Sequence, residues 1–137
     1  MDGATLRAYR QFLGIGQEDL VERLGYKDRR TITRWENGYW PIPPEAAAQI
    51  EKLYLDRIDE IEDCIDQTEA FIGETDSGEP EEIVLSIYRS ASSYRRGMGE
   101  DAKLMSWSEH SAKVAMLCAR FTALGYTARV EYVIEER

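Results

Sequence analysis

Eight side chains in the first third of the chain could do chemistry together: Gln17, Lys27, Arg29, Arg30, Thr31, Thr33, Arg34 and Asn37. All of them donate hydrogen bonds, and four are cations between positions 27 and 34. That chemistry is recognition of anions and polar edges, not bond-making. A guanidinium can neutralise a phosphate. It can also bond O6 and N7 of guanine together, which discriminates between bases by roughly 1–3 kcal/mol. Amide and hydroxyl side chains donate and accept at the same kinds of partner.

Nothing comparable supports catalysis. The single histidine, His110, falls on the apolar side of a helical pattern and reads as a core or interface residue. Cys64 and Cys118 have neither CxxC nor metal-ligand spacing, and read as small hydrophobes in a reducing compartment. There is no glycine-rich phosphate loop, no HExxH, and no serine or cysteine in a nucleophile motif. The expectation is no enzyme, no cofactor and no metal site.

The polar set needs a scaffold, and the sequence around it supplies one. Gln17 to Leu24 carries Leu20, Val21 and Leu24 at helical spacing, with Gly25 following where the helix must turn. Asp28 is placed as an N-cap for a second helix, Arg29 to Asn37. Ile32 and Trp35 lie on its apolar side, with Arg29, Arg30, Thr33 and Arg34 elsewhere. Asn37-Gly38 closes it, both residues suited to a left-handed position. Two short amphipathic helices with cations on the second are the parts of a helix-turn-helix, whose second helix enters a major groove about 12 Å wide.

Residues 5–55 resemble the Cro/phage-repressor (XRE-type) helix-turn-helix family through LRAYRQFLG, GQEDLVERLG, TITRWENG and PIPPEAA. The whole-chain layout also resembles the YdiL-like and anti-CRISPR-associated (Aca) regulators, through WENG, the PIPPE helix start and a helix start at Trp107–Ser111. The first resemblance implies a phosphate contact for Gln17 at its helix N-terminus. It also implies base or adjacent phosphate contacts for Arg29, Arg30, Thr31 and Arg34, and a structural role for Glu36. The second implies a short C-terminal dimerisation domain and an operator overlapping the chain's own promoter.

The remaining elements follow in order. A first helix, Ala4 to Leu13, presents Leu6, Tyr9, Phe12 and Leu13, while Arg7 and Arg10 read as solvated surface, with a phosphate contact as the alternative for either. After Tyr39-Trp40, with Trp40 expected to pack, the prolines at 41, 43 and 44 force an extended loop and start a long helix. Its apolar stripe, Ala47, Ile50, Tyr54, Ile58, Ile61, Ile65, Thr68 and Ile72, runs past a possible break at Asp59. GETDSGEPEE, residues 73–82, reads as an acidic linker. A strand over Glu82–Arg89, a loop, a capped helix from Ser106 to Leu124 and a strand over Tyr126–Ile134 complete the chain.

The expected fold is mainly α with a small α+β C-terminal part: a lambda-repressor-like helix-turn-helix bundle, a long connecting helix, and a strand-loop-helix-strand dimerisation domain. The expected boundaries are 1–58, 59–82 and 83–137. Two strands and one helix are marginal alone, and an open strand edge invites pairing, so two copies are expected to associate.

Charge fits this division. The net charge is −9. Residues 1–44 hold 7 basic and 6 acidic side chains, giving +1, and residues 45–137 hold 10 and 20, giving −10. A local basic face matters more to phosphate contact than the total, while the acidic remainder repels DNA at long range. No apolar run spans a membrane and MDGATLRAYR is not an export signal, so a cytoplasmic location is expected. The expected activity is a homodimeric, sequence-specific repressor of duplex DNA. An antitoxin whose acidic half binds a toxin, an RNA-binding regulator, and a protein-interaction module remain alternatives.

Overall fold

A computed structural model of the chain describes residues 1–74 and 82–135. Most of the expected linker, residues 75–81, lies outside the described residues. The chain is mainly α-helical with a small β component, and it divides into two compact units, Met1–Arg57 and Ile58–Arg137.

The first unit is built from α1 (Gly3–Leu13), α2 (Gln17–Arg23), α3 (Arg30–Glu36) and the start of α4 (Pro44–Glu74). Leu6, Leu13, Ile15, Leu20, Val21, Ile32, Trp35, Ala46 and Ile50 form its buried core. Aromatic pairs close the sides of this core. Tyr9 stacks on Tyr54 at 3.8 Å, and Tyr26 meets Trp35 edge-on at 5.2 Å. Gly3 is needed where it stands, because a Cβ there would collide with the carbonyl oxygens of Trp35 and Glu36. The start of α1 thus abuts the end of α3.

Helix α3 starts one residue later than expected, and Asp28 lies two residues ahead of it. The Asp28 carboxylate still accepts from the Arg30 N–H at 2.9 Å, so it serves the helix start as foreseen. At the other end the expectation for Asn37 needs correction. Asn37 keeps a right-handed backbone at φ −81°, and Gly38 alone turns left-handed at φ 76°. Gly38 N–H then bonds the Trp35 carbonyl at 3.1 Å and Tyr39 N–H the Arg34 carbonyl at 2.9 Å. These two bonds satisfy the last carbonyls of the helix and reverse the chain.

Helix α4 runs 31 residues without a break at Asp59. Ala46 is buried in the first unit, ahead of the half-buried Ala47. Farther on, Ile61 and Ile65 are buried in the second unit.

In the second unit, α4 is followed by β1 (Ile83–Ile87), α5 (Ala91–Met98), a 3-10 turn (Gly99–Lys103), α6 (Trp107–Ala123) and β2 (Ala128–Tyr132). The stretch expected to be a loop is therefore helical. SASSYRRG has no apolar period, so its helix rests on other contacts. Ser90 and Ser93 form a reciprocal cap, and Tyr94 is buried with its hydroxyl donating to the Met105 carbonyl at 2.7 Å. The cap expected at Ser106 is present, with Glu109 buried beside it and accepting from Ser106 N–H at 3.0 Å. Val114, Leu117 and Phe121 of α6 are buried, while Leu124 just past its end is exposed.

β1 and β2 pair in parallel, with Leu85 opposite Val130. Parallel strands need a crossover, which α5 and α6 supply. On α4, Glu62 holds Arg120 and Glu60 holds Lys113 at 3.5 Å, joining that helix to α6.

Candidate nucleic-acid interface

Three residues of α3 are committed to the core: Thr31, Ile32 and Trp35. The opposite side carries Arg30, Thr33, Arg34 and Asn37, at spacings of three and four that place them on one helical face. Arg30, Thr33 and Asn37 are exposed and Arg34 is half-buried. Lys27 and Arg29 are exposed just ahead of the helix start. Seven of the eight residues singled out in the sequence are therefore at least partly accessible. The exception is Thr31, whose 6 % exposure makes it a packing residue, unlike the contact expected of it. Thr31 stands beside Ile32 and one turn before Trp35, on the buried side of α3.

The exposed cations are not idle in the free chain. Asp28 is shared between Arg30, at 3.3 Å, and Arg34, at 3.3 Å. Hydrogen bonds from Arg30, backbone first and then side chain, hold the Asp28 carboxyl below the usual carboxylate range. Arg29 pairs with Glu18 on α2 at 2.6 Å. Ion pairs this exposed contribute little to stability. Arg34 also lies over the indole of Trp40 at 4.2 Å. Trp40 was expected to pack. It does so on this guanidinium, remaining 48 % exposed.

Behind this face lies a partly buried polar network that the sequence did not reveal. Glu36 accepts from Arg10 Nε at 2.6 Å and from Gln17 Nε2 at 2.8 Å. Arg10 also donates to the Ile15 carbonyl at 3.2 Å, and Thr33 donates to Gln17 Oε1 at 3.0 Å. Arg10, expected to be solvated surface, is thus a tie between α1 and α3. Gln17 is at the first position of α2, as the expected phosphate contact requires, and its amide is already oriented by α3. An amide nitrogen has two N–H groups, so the bond to Glu36 leaves one for an anion. The structural part expected of Glu36 is plain in these contacts.

Among the described residues, no group of three or more histidine, cysteine or acidic side chains could hold a metal ion. No described helix is long and apolar enough to cross a membrane. The arrangement can do one kind of chemistry well. It presents a row of donors, fixed from behind, to an anionic surface with polar edges.

A family model described as Aca2/YdiL-like matches residues 1–123, which takes in the whole first unit and the second unit through α6. No curated protein matches the chain.

Proposed function

We propose that this chain, which belongs to the Aca2/YdiL-like family, is a sequence-specific, DNA-binding transcriptional repressor. The family is one of regulators. In this reading two copies bind an inverted-repeat operator, and their α3 helices enter successive major grooves about 34 Å apart. The operator overlaps the promoter of the chain's own operon, so the protein regulates itself in the cytoplasm. By the family's association, that operon carries an anti-CRISPR gene.

One observation carries the reading: Arg30, Thr33, Arg34 and Asn37 share a face of α3 whose opposite side is core. Lys27 and Arg29 add charge where that helix begins. Arginine is the side chain best fitted to guanine, so the half-site contains G. Phosphate contacts from Gln17, Lys27 and Arg29 set the register, and Arg30 and Arg34 read bases. The −10 charge of residues 45–137 weakens non-specific attraction and favours approach by the α3 face.

The test is a titration of duplex from upstream of the chain's own gene, with wild type and Arg34→Ala compared. Binding in the nanomolar range that falls with salt is expected, with Arg34→Ala losing roughly 1–3 kcal/mol of specific affinity. Specific binding only at other sites ends autoregulation and keeps the repressor. Failure to bind any duplex at low salt, with structured RNA bound instead, ends the DNA reading.

A further inference from the structure

The geometry points to the outer edge of β2 as the surface that pairs with a second copy of this chain, antiparallel and centred on Val130. Among the described residues β2 is paired only with β1, so its other edge carries no strand. Ile83 N–H bonds the Thr127 carbonyl at 2.7 Å, and Val133 N–H bonds the Ile87 carbonyl at 2.8 Å. Backbone polar groups alternate along a strand. Residues 127, 129, 131 and 133 therefore face β1, and Ala128, Val130 and Tyr132 turn their N–H and C=O groups to the open edge.

The side chains fix which register a second copy can take. Arg129 and Glu131 share one face of the strand, with Arg129 Nη1 3.0 Å from Glu131 Oε2. When two β2 strands pair antiparallel about Val130, Arg129 of each copy stands opposite Glu131 of the other. Ala128 meets Tyr132, small against large, and Val130 meets its own counterpart through outward-facing backbone groups. Sliding one copy by one residue sets an outward-facing residue against one that faces inward. Sliding by two sets Arg129 against Arg129 or Glu131 against Glu131, and like charges directly opposite are destabilising. Strand β1, IVLSI, has no charge with which to fix a register.

The other face of the strand is only partly covered, with the Arg89 guanidinium 4.1 Å from the centre of the Tyr132 ring. Val130 is 37 %, Tyr132 48 % and Ile134 90 % exposed, although all three stand on the apolar side of the alternation. Pairing about Val130 brings these rows together and turns two two-stranded sheets into one of four strands. That removes an open edge and an under-sized sheet at once. The inference rests on the two-copy reading above and names the surface it uses.

Sedimentation velocity on the full chain tests it, with wild type, Arg129→Glu, Glu131→Arg and an equimolar mixture of the two variants. Each single reversal confronts like charges twice across the two-fold axis, and each weakens self-association by about ten-fold or more. The mixture restores opposite charges at both places and recovers dimer as heterodimer. A second measurement avoids any folding defect of the charge variants. Val130→Cys, in a chain with Cys64→Ser and Cys118→Ser, places its Cα about 5.5 Å from its counterpart, within disulfide range. Mild oxidation should link it covalently and leave Ser86→Cys in the same background unlinked. Dimers that are indifferent to both reversals and do not cross-link through position 130 overturn the β2 edge while leaving a two-copy repressor standing. A wild-type chain that is monomeric in solution and binds its operator as one copy overturns both.

Discussion

The guanidinium carbon of Arg34 lies 4.2 Å from the centroid of the Trp40 ring, across the left-handed turn at Gly38. The turn brings the chain back over the end of α3, and Trp40 N–H reaches the Arg34 carbonyl at 3.4 Å. The indole thereby fixes a long side chain before any ligand arrives. Trp40→Ala should weaken binding to the specific duplex by about 0.5–1 kcal/mol, or roughly two- to five-fold. Non-specific binding should change little. Parallel titrations on operator and scrambled duplex would decide this; equal losses on both would remove the positioning role.

Asp28 has the opposite influence on the same face. Its carboxylate holds Arg30 and Arg34 and would lie close to any polyanion bound there. Asp28→Asn keeps an oxygen to accept from Arg30 N–H but removes the negative charge. Binding to random duplex at low salt should tighten about three-fold, with thermal stability close to wild type. A weaker or unchanged affinity for random duplex would show that Asp28 does not restrain the arginines.

Glu36 is the anchor behind the face. Its side chain is 6 % exposed and joins Arg10 of α1 to Gln17 of α2. Glu36→Ala leaves a half-buried guanidinium and an amide without their shared acceptor. Stability of the first unit should fall by about 1–3 kcal/mol, measured by urea unfolding. Arg29→Ala, at an exposed pair, should cost less than about 1 kcal/mol in the same assay. Similar losses for the two would contradict the network.

His110 should give the second unit a pH dependence. It lies against the rings of Tyr88 and Tyr94, and its Nδ1 is buried with no hydrogen-bond partner among the described residues. Burial first, and then the neighbouring Lys113 charge, depress its pKa below the usual imidazole value. The folded state therefore prefers the neutral ring. The stabilising contribution is present above the unfolded value of about 6.5 and is lost as pH falls through the depressed folded value. His110→Phe keeps the aromatic contacts and should flatten the fall in stability between neutral and mildly acidic pH. An unchanged slope in paired melts at pH 7.5 and pH 5.5 would exclude His110 as its source.

The two short helices α2 and α3 were legible in the sequence because their signals are local. Leu20, Val21 and Leu24 are spaced within two turns, and Gly25 and Gly38 mark the helix ends directly. What escaped depends on distance along the chain. Gln17 finds Glu36 and Thr33 at separations of 19 and 16 residues, and nothing at position 17 announces them. The burial of Thr31 is set by how wide an arc α3 presents to its neighbours. Helix α5 was hidden for another reason. Its apolar content is almost a single anchor, Tyr94, and its start is a serine pair where an acidic partner is more usual.

Helix α4 gives the chain an uncommon kind of modularity. The boundary between the two compact units falls at Arg57–Ile58, inside a continuously hydrogen-bonded helix. Arg57 is itself buried, with its guanidinium on the Leu13 carbonyl at 3.4 Å. A fragment cut at that boundary would leave the last four carbonyls of the first unit without their N–H donors. A genetic exchange that grafts this helix-turn-helix onto another C-terminal half must therefore splice within helical register. One residue added or lost within an α-helix shifts the helix's own later side chains by about 100° around its axis.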